Sequence, residues 1–250
     1  MPRFFVSPDR IGSAQITVEG PDVNHMINVL RMAEGDELTV SDGQGMDYFC
    51  RISRKEKDTI LLDIVDRWRS FSELPVRLVL FQGLPKADKM DLIVQKAVEL
   101  GVYRVVPVMT ERTVVRLDDK KAAKRTARWQ AISESAAKQA GRAIVPEVSA
   151  PVTFDEALKM CRGMDAFLMP YEKAEGMAAA RACVAGLSGC RSVGVMIGPE
   201  GGFSGEEAAK AKAEGASLIS LGRRILRTET AGLTMLSILM FALEKDETND

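Results

Sequence analysis

Apolar and polar positions follow two different rhythms along the chain. Over roughly the first seventy residues they come in short β-rich runs. Gln15–Val18, Glu37–Val40, Met46–Ile52 and Thr59–Val65 read as strands, with Gly35-Asp36 and Asp42-Gly43-Gln44-Gly45 as turns. Between the first two strands, Val23, Met26, Ile27 and Leu30 recur at helical spacing, which predicts a short helix over Asp22–Arg31. A small β-barrel is the natural closure for such strands, because closure leaves no unpaired edge. Polar residues Arg67–Glu73, ending at Pro75, read as a linker. Beyond it strands and helices alternate: strands at Val76–Phe81, Arg104–Met109, Ala166–Met169 and Val193–Ile197, helices at Asp88–Leu100, Lys120–Ala140 and Phe154–Met160. Met90, Ile93, Val94, Ala97 and Leu100 share one helix face, and Gly101 is a stop signal. Alternation of this kind predicts an α/β fold, a parallel sheet covered by helices on both faces.

Two later stretches break the plain pattern. In the first, a buried strand ends at Ile197, and Gly198-Pro199-Glu200-Gly201-Gly202 leads to a helix start where Ser204 and Glu207 form a capping box. Glycines there permit positive φ and close backbone approach, and ligands of open α/β sheets settle at the carboxyl ends of strands. The loop is neither a dinucleotide fingerprint nor a phosphate-binding P-loop, since neither spacing is present. By itself it reads equally as a tight connection or a ligand loop. In the second stretch, Leu218–Leu221 leads through Gly222 into a loop with Arg223, Arg224 and Arg227, and Thr228 is a candidate N-cap. The helix that follows is apolar on nearly all sides up to Leu243. Such a helix is either wholly internal or divided between the core and a partner subunit.

Composition narrows the chemistry. The 250 residues are 46% hydrophobic, enough to bury a substantial core in one or two domains. The apolar stretch around Leu233–Leu243 is too short to span a bilayer, and the start Met1-Pro2-Arg3-Phe4-Phe5 lacks a signal-peptide run, so a cytoplasmic protein without membrane contact is expected. Cys50, Cys161, Cys183 and Cys190 show no metal-ligand spacing and there is a single histidine, so no metal site is expected and reduced thiols are the simplest reading. With His25 the only histidine and no G-x-S-x-G turn, nucleophilic hydrolase mechanisms fall away. Net charge is −1, yet Glu111–Arg142 holds nine Lys or Arg against four Asp or Glu. Lys120, Lys124 and Arg128 stack on one helix face, either as a solvated face or as a footprint for a phosphate backbone.

The order G-P-E-G-G-F-S, then L-G-x-R-I-L-R-x-E-T-A about twenty residues later, closely resembles the signature of the 16S rRNA (uracil N3)-methyltransferase family, within the SPOUT superfamily. Pro2–Val6, His25–Arg31, Lys89–Gly101 and Gln139–Arg142 with Val145-Pro146 fit it in the same order, so the resemblance spans the chain. It implies a PUA-like, RNA-binding β-barrel over 1–72 and a trefoil-knotted SPOUT domain over 73–250, with S-adenosyl-L-methionine (SAM) as cofactor. It further implies a homodimer with the cofactor site near the subunit interface, and 16S rRNA within a 30S subunit or its precursor as partner. The cofactor pocket would draw on Met169, Pro170, Tyr171 and Glu172, on Ile197, Gly198, Gly201 and Gly202, and on Leu221, Gly222, Ile225 and Leu226. Backbone groups of the last set would read the adenine edge, and Glu172 or Glu200 would meet ribose hydroxyls or the amino group. Uridine N3 must lose its proton to become nucleophilic, so a base or an anion-stabilising cation is needed. Glu200 is the candidate base and Arg227 the candidate stabiliser. Cofactor binding remains open for Glu200, and a salt bridge to Glu229 or a phosphate contact for Arg227. His25, Arg31, Lys86, Lys89, Arg112 and Arg142 are candidate RNA contacts, with a purely structural role open for His25. Two other readings remain: a SPOUT enzyme acting on tRNA or 23S rRNA, and a non-catalytic RNA-binding assembly factor.

Overall fold

The computed structural model describes residues 1–115, 117–174 and 176–244. Arg116 of the basic stretch and residues 245–250 of the expected second domain lie outside the described residues. The chain forms two units. One comprises Met1–Glu73 and Ala137–Val145, the other Leu74–Ala136 and Pro146–Asp250.

The first unit is a five-stranded sheet of β1 (Arg3–Phe5), β2 (Gln15–Glu19), β3 (Glu37–Ser41), β4 (Met46–Lys55) and β5 (Thr59–Arg69), in the order β1-β3-β4-β5-β2. Phe4 on one outer strand and Ile16 and Val18 on the other share a single buried cluster with Leu38, Cys50 and Leu62. A single sheet can bring both outer strands to one core only by curling. The expected linker begins later than the sequence suggested, because β5 continues through Arg69 and Trp68 pairs with Asp47 of β4. The predicted helix over Asp22–Arg31 is also different in kind. A single α turn, α1 (Pro21–Asn24), widens into a π turn over His25–Val29, where Leu30 N–H reaches back to the His25 carbonyl at 2.9 Å. Arg31 then leaves with φ 54°, which ends the helix.

The second unit is a parallel sheet. Its strands are β6 (Arg77–Gly83), β7 (Arg104–Met109), β8 (Glu147–Val148), β9 (Val152–Thr153), β10 (Ala166–Pro170), β11 (Ser192–Ile197) and β12 (Ser217–Ile219). The order is β12-β10-β11-β6-β7-β8, with β9 beside the end of β7, and every pair is parallel. The helices are α2 (Lys89–Glu99), α3 (Asp119–Gln139), α4 (Phe154–Cys161), α5 (Met177–Ala185), α6 (Gly205–Ala213) and α7 (Thr228–Leu243). β6 and β11 are buried at almost every position, which requires cover on both faces. Val79, Phe81 and Met196 pack with Phe154 and Leu158 of α4 and Ala208 and Ala211 of α6. On the opposite face, Gln82 of β6 meets Thr228 of α7, and Ile197 lies against Gly232. The predicted capping box at Ser204 is formed reciprocally with Glu207.

One feature of the path positions the site. β12 is an outer strand, yet α7, the next element, starts at the ends of β6 and β11 in the middle of the sheet. Residues 220–227 therefore return over strands already laid down, as a knotted path requires. No helix among the described residues is long and apolar enough to cross a membrane.

Candidate cofactor cleft

Strands β10, β11 and β12 run parallel, so the loops leaving their carboxyl ends emerge on one side of the sheet. Those loops, starting after Pro170, Ile197 and Ile219, line a single cleft of about 840 Å³. This lies within the ~300–1,000 Å³ typical of small-molecule sites. Pro170, Glu172, Ile197, Gly198 and Gly202 line it, as do Leu221, Gly222, Ile225 and Leu226. The sequence also named Met169 and Gly201. Met169 is fully buried within the sheet, and Gly201 packs against Arg112. Met177, Phe203 and Ala231 line the cleft as well and were not foreseen. Met177 belongs to α5, a helix whose Ala-rich sequence gave no usable apolar stripe.

The glycine loop is shaped by close approach. Gly202 N–H donates to the Pro199 carbonyl at 2.9 Å, closing a tight turn, and Gly202 itself has φ 65°. Beneath the turn, Pro199 sits on Gly83 at the end of β6, where a Cβ would lie 2.6 Å from the proline ring. A second tie comes from α7. Thr228 Oγ1 donates to the Gly198 carbonyl at 2.6 Å and accepts from Gln82 Nε2 at 2.8 Å. Thr228 was expected as the N-cap, but the cap position is Arg227 and Thr228 is the first helical residue. Its hydroxyl is spent on the glycine loop instead. Gln82, fully buried, was missed; the only signal was an amide at the end of an otherwise apolar strand.

The charged residues fall into three groups. Glu200 accepts from the Lys86 backbone N–H at 3.2 Å and pairs with Lys89 Nζ at 3.0 Å, while Lys89 also reaches Glu229 at 3.3 Å. Burial pushes the Glu200 carboxyl upward, but the Lys89 ammonium and backbone N–H groups outweigh it and hold it below the usual carboxylate range. The hydrogen bond to Glu200, assisted by Glu229, holds the Lys89 ammonium above its ordinary value. Arg112 donates to the Gly201 carbonyl at 2.8 Å. Thus Lys86, Lys89 and Arg112, expected at RNA, converge on the glycine loop. Arg227 lines the cleft and is exposed, with no ion pair among the described residues; the alternative pairing with Glu229 does not form because Lys89 takes that carboxylate.

The remaining expectations lie in the first unit. His25 is exposed with its ring edge-on to Phe4, and Arg31 is exposed. Arg142, expected at RNA, is instead buried. Only 3% exposed, it forms an ion pair with Glu73, whose carboxylate also accepts the Ala143 and Ile144 N–H groups at 3.0 Å. A guanidinium enclosed in this way has no face to offer a phosphate.

A family model described as an RNA methyltransferase domain matches residues 72–240, and one described as an RNA methyltransferase PUA domain matches residues 18–65. The chain belongs to the RNA methyltransferase family. A Bacillus subtilis protein named ribosomal RNA small subunit methyltransferase E is 34% identical over 98% of this chain and 98% of its own length. Among solved structures, the Neisseria gonorrhoeae ribosomal RNA small subunit methyltransferase E bound to S-adenosyl methionine aligns with a TM-score of 0.79 and 35% identity, covering 96% of this chain and 97% of that one. A putative methyltransferase of Legionella pneumophila in complex with the cofactor SAM gives 0.80 and 31%, again covering 96% and 97%. The family's fold is thus present here from the curled sheet to α7.

Proposed function

We propose that the protein is a SAM-dependent methyltransferase that acts on N3 of a uridine in 16S rRNA. The observation that carries this reading is the cleft in which three loops from β10, β11 and β12 converge, in a chain whose whole length aligns with relatives that bind SAM. The residues suit that cofactor. Leu221, Ile225 and Leu226 offer backbone groups for the adenine edge, Met177 and Phe203 are apolar walls, and Glu172 and Glu200 are carboxylates for hydroxyl or ammonium groups.

SAM supplies a methyl group already activated on a sulfonium. The protein's tasks are therefore to align uridine N3, to manage its proton and to keep water out. Arg227, exposed at the cleft and with no ion pair among the described residues, stabilises the uracil anion that forms as N3 loses its proton. Glu200, ionised at neutral pH, can receive that proton. Its lowered pKa makes it a weak base, and its bonds to Lys86 and Lys89 make holding the glycine loop its larger task. Residues 1–72, the larger part of the first unit, with exposed His25 and Arg31, form the RNA-binding module, and residues 73–250 carry the cofactor site. Lys86 and Arg112 also contribute positive charge beside the glycine loop. The enzyme works in the cytoplasm as a homodimer, on the 30S subunit or its precursor. Exposure of Phe241 and Ile238 on α7 supports a partner subunit there.

Mass spectrometry of nucleosides from 16S rRNA tests the reading. Cells lacking the protein should lose 3-methyluridine from one site, and the purified chain with SAM should restore it on their 30S subunits. Unchanged 3-methyluridine, or a loss confined to tRNA or 23S rRNA, refutes it. Absence of SAM binding by calorimetry would instead favour an assembly factor without catalysis.

A further inference from the structure

Three arginines fall within five residues on the loop between β12 and α7. Arg223, Arg224 and Arg227 all line the cleft, all are exposed, and none of their guanidiniums has an ion pair or hydrogen bond among the described residues. Elsewhere the chain pairs its arginines readily: Arg104 with Glu147, Arg128 with Asp91, Arg162 with Glu214. The nearest acidic residue in sequence, Glu229, is held by Lys89, and so is Glu200 across the loop. Three neighbouring guanidiniums with no ion pair among the described residues repel one another and raise the positive field on their side of the cleft, in a chain whose net charge is −1. Among them stands Ile225, 83% exposed, an apolar side chain set in a cationic frame. A small anion needs no such frame. A polynucleotide does, because it offers phosphates at regular spacing and base faces between them.

From this arrangement we infer that Arg223 and Arg224 clamp the phosphates flanking the target uridine, with Ile225 against the neighbouring base, while the backbone of the same loop faces the cofactor. The inference rests on the methyltransferase reading and extends it by assigning the RNA contact at the cleft to a segment that was otherwise a cofactor loop. One physical division makes this possible: the side chains of Arg223, Arg224 and Ile225 are exposed, which leaves them free for a second ligand while the loop's backbone serves the first.

The test uses the full-length protein and 30S subunits from cells lacking it. Methyl transfer from labelled SAM is measured from 50 to 200 mM salt for the wild type, for Arg223→Gln/Arg224→Gln and for Arg223→Lys/Arg224→Lys, with SAM affinity measured separately by calorimetry. Losing two phosphate contacts should lower the slope of log kcat/KM against log salt by about 1.4 to 1.8. The lysine variant should keep most of the slope, and SAM affinity should stay within about twofold in both. An unchanged slope in the glutamine variant overturns the inference. So does a tenfold loss of SAM affinity, which would make the arginines a clamp for the cofactor's carboxylate, or a shift in oligomeric state, which would make them subunit contacts. A wild type that transfers no methyl group to these subunits instead overturns the reading beneath it.

Discussion

Thr228 ties the start of α7 to two other segments, and Thr228→Val isolates that tie. Valine has nearly the same shape, so no cavity opens; only the hydroxyl is lost. Two hydrogen bonds go with it, from Gln82 Nε2 at 2.8 Å and to the Gly198 carbonyl at 2.6 Å. Gln82 is fully buried and keeps only the bond from its amide to the Gly83 carbonyl, so one of its N–H groups is orphaned at about 1–3 kcal/mol. Gly198 is partly exposed and can recruit water, so its carbonyl contributes about 0.5–1.5 kcal/mol. The expected loss is thus roughly 2–4 kcal/mol. Urea unfolding followed by the fluorescence of Trp129, buried in the second unit, measures it once Trp68 is replaced by Phe. The diagnostic variant is Gln82→Leu/Thr228→Val. It removes the orphaned amide, together with Gln82 Oε1, which already lacks a hydrogen-bond partner, and should recover about 1–3 kcal/mol relative to Thr228→Val alone. Thr228→Ser should stay near wild type. A Thr228→Val loss under about 0.5 kcal/mol, or a double variant less stable than Thr228→Val, would refute the account of the node.

Gly83→Ala should cost about 1–3 kcal/mol by overpacking, because its Cβ would lie 2.6 Å from Pro199, and should displace the glycine loop enough to lower SAM affinity in calorimetry at least tenfold. Arg142→Ala should destabilise the first unit by about 3–5 kcal/mol, leaving Glu73 without its cation, while the salt dependence of RNA binding at a permissive temperature stays unchanged. Phe241→Glu, which alters a side chain 87% exposed on α7, tests the proposed homodimer: sedimentation should shift from dimer to monomer, and a wild type that already sediments as a monomer, or a profile the substitution leaves unchanged at micromolar concentration, would refute a subunit contact through α7.

The sequence alone determined much of this. Periodicity located most strands of both units, because a side chain's direction in a strand or helix repeats with a regular period; it did not mark the short strands β1, β8 and β9. Capping at Ser204 was equally legible, being settled within four residues. The glycine-rich turn after β11, where Gly202 takes positive φ, was legible from glycine spacing at the end of a buried strand, though that spacing suited a tight connection and a ligand loop equally. Tertiary structure decided what depends on residues far apart in sequence. Gln82 and Thr228 are 146 positions apart, and nothing local in either marks their hydrogen bond. Thr228 has the chemistry of an N-cap, and only the return of the chain across the sheet diverts its hydroxyl to Gly198. Arg142 has the charge of an RNA contact, and only the fold encloses it with Glu73. Charge is written in the sequence; whether that charge meets solvent, a carboxylate or a ligand is fixed by burial, which is a property of the packed chain.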